Sequence, residues 1–334
     1  MAPPGTPGGG VHSGRVLAVV CPGQGAQAPG MLAPWLEVPG VTERLGGFSE
    51  AVGLDLIRLG TTADADEIRD TAVAQPLLVA SALVTARALG LGVPGEAGAL
   101  VPDVVAGHSV GEFAALALAA VLSDGTSLRL VAVRGRAMAA AAARTPTGMS
   151  AVLGGDPDEV TARLAELGLT PANVNGGGQV VAAGSLDGLA ALAATPPARA
   201  KVVPLQVAGA FHTQVMAPAV DDLRAAAAGV VPADPRVVLL ANADGAVVRT
   251  GAHALELVVR QVAQPVRWDM VQATMAGLGV TGLLELAPGG VLAGLARRAL
   301  PEVERVALKT PDDLAAGRDL VARHTGTTTQ EEQL

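Results

Sequence analysis

Val101-Pro102-Asp103-Val104-Val105-Ala106-Gly107-His108-Ser109-Val110-Gly111-Glu112 decides the fold class of this chain. Its first six residues are a short apolar run with β-branched members, the kind that makes a buried strand. Beyond it, Phe113-Ala114-Ala115-Leu116-Ala117-Leu118-Ala119-Ala120 is built mostly from strong helix formers. Between strand and helix stands Gly-x-Ser-x-Gly, the nucleophile-elbow pattern, in the strand–turn–helix setting it requires. The glycines follow from a turn too tight for larger neighbours. The Ser109 hydroxyl then stands clear of the sheet, near N–H groups at the helix start that stabilise an oxyanion. In a chain with 42 glycines the same letters also describe an ordinary glycine-rich turn, so the flanking elements carry the reading.

Composition narrows the function. At 334 residues, half of them hydrophobic, the chain has ample core for one large domain or two modest ones. Its only aromatics are Trp35, Phe48, Phe113, Phe211 and Trp268, too few for stacking platforms, and the net charge is −8. Both features argue against a nucleic-acid binder. Cys21 is the sole cysteine, and the five histidines include no His-x-x-x-His pair. Neither an intramolecular disulfide nor a metal site is therefore expected. No run of about 18 apolar residues is free of charge and breakers, so no membrane span is expected. Residues 1–14 are rich in Gly and Pro without the plan of a signal peptide, and they read as a flexible arm. The expected setting is cytoplasmic.

Other strands, helices and turns surround the elbow. Arg15-Val16-Leu17-Ala18-Val19-Val20-Cys21 reads as a buried strand ending in the turn Pro22-Gly23-Gln24-Gly25-Ala26-Gln27. Such a turn sits at the carboxyl edge of a parallel sheet, where sites collect. It lacks the third glycine and the Gly-Lys-Ser/Thr of a nucleotide cradle. A helix apolar on most faces, leading from Thr71 to near Gly90, belongs in the centre of the molecule. Residues 92–98 form a Gly/Pro-rich loop, and 128–143 a further helix carrying Arg129, Arg134 and Arg136.

From Gly148 the character changes. Strands at 149–153, 171–175, 179–183 and 201–207 alternate with helices at 157–167 and 186–194. That βαββαβ order is a ferredoxin-like pattern, inserted as a small domain at 148–207. The larger domain resumes at Gly209-Ala210-Phe211-His212-Thr213. It continues through a helix at 221–228, a strand at 237–240, a helix running to Gln261, a strand at 283–286 and a helix at 291–300. Residues 313–334 form a C-terminal tail, polar and disordered from 325 onward.

A serine nucleophile needs a base. His12 and His324 fall in the expected flexible ends, and His253 in a polar connection. The His108 ring should point away from the neighbouring hydroxyl. His212 remains, in a loop between a strand and a helix, either as the base or as a satisfied structural histidine. No acid is placed to complete a Ser–Asp–His triad: Asp124 comes too soon, and Asp156, Asp158 and Asp187 lie in the insert. That absence counts against an ordinary esterase of the α/β-hydrolase type. Arg134, taken with its helix alone, reads as a solvated arginine on an amphipathic helix.

Several further pieces are Ala74-Gln75-Pro76, Arg134-Gly135-Arg136-Ala137-Met138 and Asn173-Val174-Asn175. Others are Arg260-Gln261, Gln264-Pro265-Val266-Arg267-Trp268 and Glu285-Leu286-Ala287-Pro288-Gly289. With the turn at 22–27, the elbow and Gly209-Ala210-Phe211-His212, and in this order, the chain strongly resembles malonyl-CoA:acyl carrier protein transacylases and the acyltransferase domains of polyketide synthases. The resemblance spans residues 15–312.

It implies an α/β-hydrolase-like core with a parallel sheet (15–147 and 208–312) carrying the ferredoxin-like insert. It further implies that Ser109 takes the malonyl group from malonyl-CoA and that His212 serves as base, then acid. The backbone carbonyl of Gln261 would orient His212 in place of an aspartate, and the N–H groups of Gln24 and Val110 would form the oxyanion hole. Arg134 matches the arginine that grips the malonyl carboxylate, which suits a planar guanidinium better than a lysine. Phe211 matches a bulky position that leaves no room for a 2-methyl group. Met138, His108, Asn173 and Asn175 are supporting residues, and Gln24, Gln75 and the two asparagines either position substrate or tie turns together.

The acyl acceptor would be the phosphopantetheine thiol of an acyl carrier protein, in a ping-pong exchange for fatty acid or polyketide synthesis. No cofactor is implied, and a free-standing monomer is expected. Carriers and this chain are both acidic, so docking would need local cations; Arg199 with Lys201, and Arg297 with Arg298, are candidates, although plain solvated surface is the simpler reading of each pair. The alternative on the same core is a serine thioesterase or esterase, which has no use for Arg134.

Overall fold

A computed structural model describes residues 14–92 and 98–325. The arm at 1–13, part of the 92–98 loop, and residues 326–334 of the tail lie outside the described residues. The chain opens with β1 (Leu17–Cys21), α1 (Val41–Val52), α2 (Leu56–Thr61), α3 (Thr71–Leu89), β2 (Val104–Gly107), α4 (Glu112–Leu118) and α5 (Asp124–Ala142). Then come β3 (Thr147–Gly154), α6 (Pro157–Glu166), β4 (Thr170–Gly176), β5 (Gln179–Ser185), α7 (Leu186–Ala194) and β6 (Ala200–Pro204). The remainder is α8 (Ala217–Ala227), β7 (Val238–Leu240), β8 (Val247–Val248), α9 (Gly251–Gln261), β9 (Val266–Arg267), α10 (Trp268–Gly277), β10 (Gly282–Glu285), α11 (Val291–Ala299), β11 (Glu304–Ala307) and α12 (Leu314–His324).

The main sheet has the order β11-β10-β1-β2-β7-β8, parallel throughout except for the β7–β8 pair. Every residue of β1 and β2 is buried, as strands covered on both faces require. Val20 pairs with Ala106 and Cys21 with Gly107, so the 22–27 turn and the elbow emerge side by side at one sheet edge. Cys21 is core, and burial pushes its thiol far up.

Helix α3 is buried on nearly all faces, as its uniform apolarity demands. It starts at Asp70, whose side chain caps the Ala72 N–H, and stops at Gly90 in a left-handed conformation (φ 99°). By length and composition it is apolar enough to cross a membrane, but 78% of that window is buried inside the fold. Helix α5 packs against α3. A Cβ on Gly135 would lie 2.9 Å from the Thr71 carbonyl oxygen, so this glycine permits the approach that sets Arg134 beside Gln75.

The second sheet has the order β6-β3-β5-β4-β9. Its first four strands are antiparallel and come from the 147–204 segment. The fifth, β9, arrives from the later part of the chain and pairs parallel to β4. The 147–204 segment is thus tied to the later chain through its sheet, a tie that a two-residue strand does not advertise in sequence.

Two expectations need correction. Residues 314–324, assigned to the tail, form α12, with Leu320 and Val321 fully buried against β10 and β11. His324 is accordingly not in a free end: it bonds Thr281 Oγ1 (2.8 Å) and Glu304 (3.0 Å). His253 sits in the first turn of α9, where Thr250 caps its N–H. Apolar residues at 314, 317, 320 and 321 follow helical spacing, a signal that the polar letters between them obscure.

Candidate active site

Ser109 follows β2 with a positive φ of 52°, unusual for a residue with a side chain. Its neighbours show why the flanks are glycine. A Cβ on Gly107 would stand 2.0 Å from the Gly111 carbonyl carbon, and one on Gly111 would stand 2.3 Å from the Cys21 carbonyl oxygen. The turn is pinned from β7: the Ser109 N–H donates to Asn242 Oδ1 (2.7 Å), and Asn242 Nδ2 donates to the Gly107 carbonyl (2.6 Å).

His212, 3% exposed and also at positive φ (60°), lies across the insert from Ser109 in sequence but beside it in space. Its Nε2 is 2.7 Å from Ser109 Oγ, and its Nδ1 is 2.9 Å from the carbonyl oxygen of Gln261. A carbonyl only accepts, so Nδ1 carries the proton and Nε2 presents its lone pair to the serine. Burial first, and the Arg134 charge second, push the imidazole pKa down to about 3, against the pull of the Gln261 carbonyl. The ring is therefore neutral in the physiological range, with Nε2 turned to the serine hydroxyl.

Arg134 is 1% exposed. Its Nη1 donates to Gln75 Oε1 (2.7 Å), and its Nη2 donates to Gln261 Oε1 (2.9 Å) and approaches Ser109 Oγ (3.4 Å). Its Nε is buried with no hydrogen-bond partner among the described residues. Burial lowers its pKa to about 10, offset by Glu112, so the cation persists at neutral pH. Its hydrogen-bond partners, Gln75, Gln261 and Ser109, are neutral, and Glu112 acts on its charge without touching it. The reading of Arg134 as a solvated arginine is ruled out by its burial.

Residues 18–316 of the chain match the family described as "Acyl transferase domain". The chain belongs to that family. The acyltransferase is 51% identical over 299 residues to the malonyl CoA-acyl carrier protein transacylase of Mycobacterium tuberculosis, covering 90% of this chain and 98% of that one. It superposes on the crystal structure of MCAT from Mycobacterium tuberculosis with a TM-score of 0.85 at 50% identity, covering 90% and 99% of the two chains. It is also similar, at TM-score 0.82 and 30% identity over 91% and 99% of the chains, to a malonyl-transacylase solved with its type II polyketide synthase acyl-carrier protein.

In the acyltransferase, Ser109, His212 and Arg134 face one cavity of about 190 Å³. Met138, Phe211 and Leu295 give it apolar walls, and Gln24, Val110, Asn173 and Asn175 also reach it. His108 turns away from the serine. Its ring stands edge-on to Trp268 (centroids 5.5 Å apart), and its Nε2 bonds Asn175 Oδ1 (2.9 Å), so it joins the elbow to β4. Burial pushes the His108 pKa down. A larger groove of about 910 Å³, with Arg44, Arg87 and Arg129 on its walls, contains none of the site residues, and Arg87 there is paired with Asp124.

Sequence reading passed over two members of the site, Asn242 and Glu112. Glu112 is 5% exposed; its Oε1 accepts the Asn242 N–H (2.7 Å), and its Oε2 accepts from Gln261 Nε2. Burial pushes its carboxyl up, opposed by the Asn242 N–H and by Arg134. The available signals were a carboxylate three residues past the nucleophile and an asparagine at a strand's carboxyl end.

Proposed function

We propose that Ser109 is the acyl-carrying nucleophile, His212 its base and Arg134 the group that selects a carboxylated acyl chain. On this reading the protein moves malonyl from malonyl-CoA to the phosphopantetheine thiol of an acyl carrier protein. Ser109 Oγ attacks the thioester carbonyl while its proton passes to His212 Nε2. The N–H groups of Gln24 and Val110, both at the cavity, hold the oxyanion. The carbon–sulfur bond then breaks, and Nε2 returns the proton to the departing CoA sulfur. In the second half the carrier thiol gives its proton to Nε2 and attacks the Ser109 ester, and the proton returns to Oγ.

The observation that carries this reading is the buried cation 3.4 Å from the nucleophile's oxygen. A hydrolase of simple esters gains nothing from it. The His212 Nδ1–H on the Gln261 carbonyl supports a dyad without an acid, in keeping with the missing aspartate. Phe211, beside the base and against the cavity, would crowd a 2-methyl group. Met138, His108, Asn173 and Asn175 shape the pocket, and Gln261 positions both base and cation.

The proposal extends to architecture and setting. The parallel sheet bearing the elbow supports an α/β-hydrolase-like core at 15–147 and 208–312, and the strand order β6-β3-β5-β4 supports a ferredoxin-like insert at 148–207. A monomer in the cytoplasm completes the proposal; the long apolar helix α3 is buried within the fold. Intact-protein mass spectrometry tests the reaction: malonyl-CoA should add one malonyl group to the wild type and none to Ser109→Ala, and holo carrier protein should then remove it. Rapid release to water with no transfer to the carrier would overturn the reading.

A further inference from the structure

The Gln261 carboxamide lies between two groups of opposite demand. Arg134 offers only donors, and it meets Oε1 at 2.9 Å. On the other side, Nε2 faces three oxygens: Glu112 Oε2, the Ser109 carbonyl (3.2 Å) and Asn242 Oδ1 (3.1 Å). Asn242 Oδ1 is itself held in place, because it accepts the Ser109 N–H while its own Nδ2 is spent on Gly107. Glu112 closes the circuit with one oxygen on the Asn242 N–H and the other on Gln261. An N–H donor on each oxygen selects the carboxylate form of Glu112, which offers two acceptor oxygens, whereas a carboxamide of the same shape offers one.

We propose that Glu112 is a positioning residue that acts through Gln261: its second oxygen holds the Gln261 carboxamide with Oε1 toward Arg134, and so aims the guanidinium at the malonyl carboxylate. An amide at position 112 keeps its oxygen for the Asn242 N–H and turns its own N–H on Gln261 Nε2. That leaves Nε2 only the longer bonds to the Ser109 carbonyl and to the already occupied Asn242 Oδ1, so the carboxamide turns over. Nε2 then confronts the guanidinium, donor against donor, and Arg134 loses the partner that fixes Nη2 beside Ser109. The backbone carbonyl of Gln261, which holds His212, is not part of this rotation. Malonyl recognition should therefore suffer while the serine–histidine pair stays intact. The inference rests on the proposed role of Arg134 in binding malonyl.

The test is Glu112→Gln in the full chain, with Ser109 loading followed by mass spectrometry for malonyl-CoA and acetyl-CoA. Loss of one buried acceptor should lower malonyl kcat/KM about tenfold or more, chiefly through KM, and leave acetyl loading within about threefold. In a Gln261→Ala background, Glu112→Gln should cause no further loss of malonyl preference. If the single variant does not fold, Glu112→Asp withdraws the acceptor while keeping a carboxyl, and the same selective loss is expected. An unchanged malonyl-to-acetyl ratio in the variant, or an equal fall for both substrates, overturns the inference and leaves the function standing. A wild type with no malonyl preference overturns both.

Discussion

Arg134→Ala isolates the step that separates a malonyl carrier from a general acyl carrier. Of its five N–H hydrogens the guanidinium spends one Nη1 hydrogen on Gln75 and one Nη2 hydrogen on Gln261, which leaves the second on each and the Nε hydrogen for a ligand. Charge-assisted bonds contribute about 1.5–3 kcal/mol each. Two of them at the lower end give about 3 kcal/mol, or roughly 150-fold in malonyl kcat/KM. Acetyl has no carboxylate to lose, so its loading should hold or rise as a buried charge leaves the cavity. Single-turnover loading of both substrates, with a thermal melt on each protein, reads the difference. A parallel loss for malonyl and acetyl, or an unchanged malonyl rate in a folded variant, would refute the reasoning.

Three further outcomes are expected. His212 binds a proton near pH 3 in the fold but near 6.5 as an ordinary imidazole; the unfolded chain therefore holds more protons between those values, and stability falls as pH drops through that window. Chemical denaturation at pH 7 and pH 5 should show a smaller loss in His212→Gln than in wild type, and equal losses would count against a neutral buried ring. Phe211→Ala should admit methylmalonyl-CoA, raising its loading relative to malonyl by about tenfold or more; a fixed ratio would mean that the ring only packs the loop. Gly111→Ala drives a methyl group to 2.3 Å from the Cys21 carbonyl oxygen, and backbone cannot step aside as a side chain would. It should cost about 3 kcal/mol or more in a melt, and a neutral result would refute the close approach.

Much of the site was legible because its parts are local. The elbow needs small residues on both sides of the serine and a strand and helix around it, all within one short stretch, and the coordinates place Gly107 and Gly111 where a Cβ would collide. The βαββαβ order at 147–204 was legible for the same reason, through alternating strand and helix patterns. The β9 strand was not, because two residues carry no period. Nor was α12, whose few apolar positions stand among charged and small residues.

By itself, then, the sequence determined the parallel strands, the strained serine turn and the residue types able to supply a base and a cation. Only the tertiary structure decided that Arg134 is buried, that His212 leans on a carbonyl, and that Asn242 and Glu112 brace the turn from 130 or more positions away and from inside its own helix. The physical reason is that backbone sterics and apolar periodicity act between near neighbours in the chain. The donor and acceptor demands of a buried polar group are met by whichever distant segments packing brings beside it.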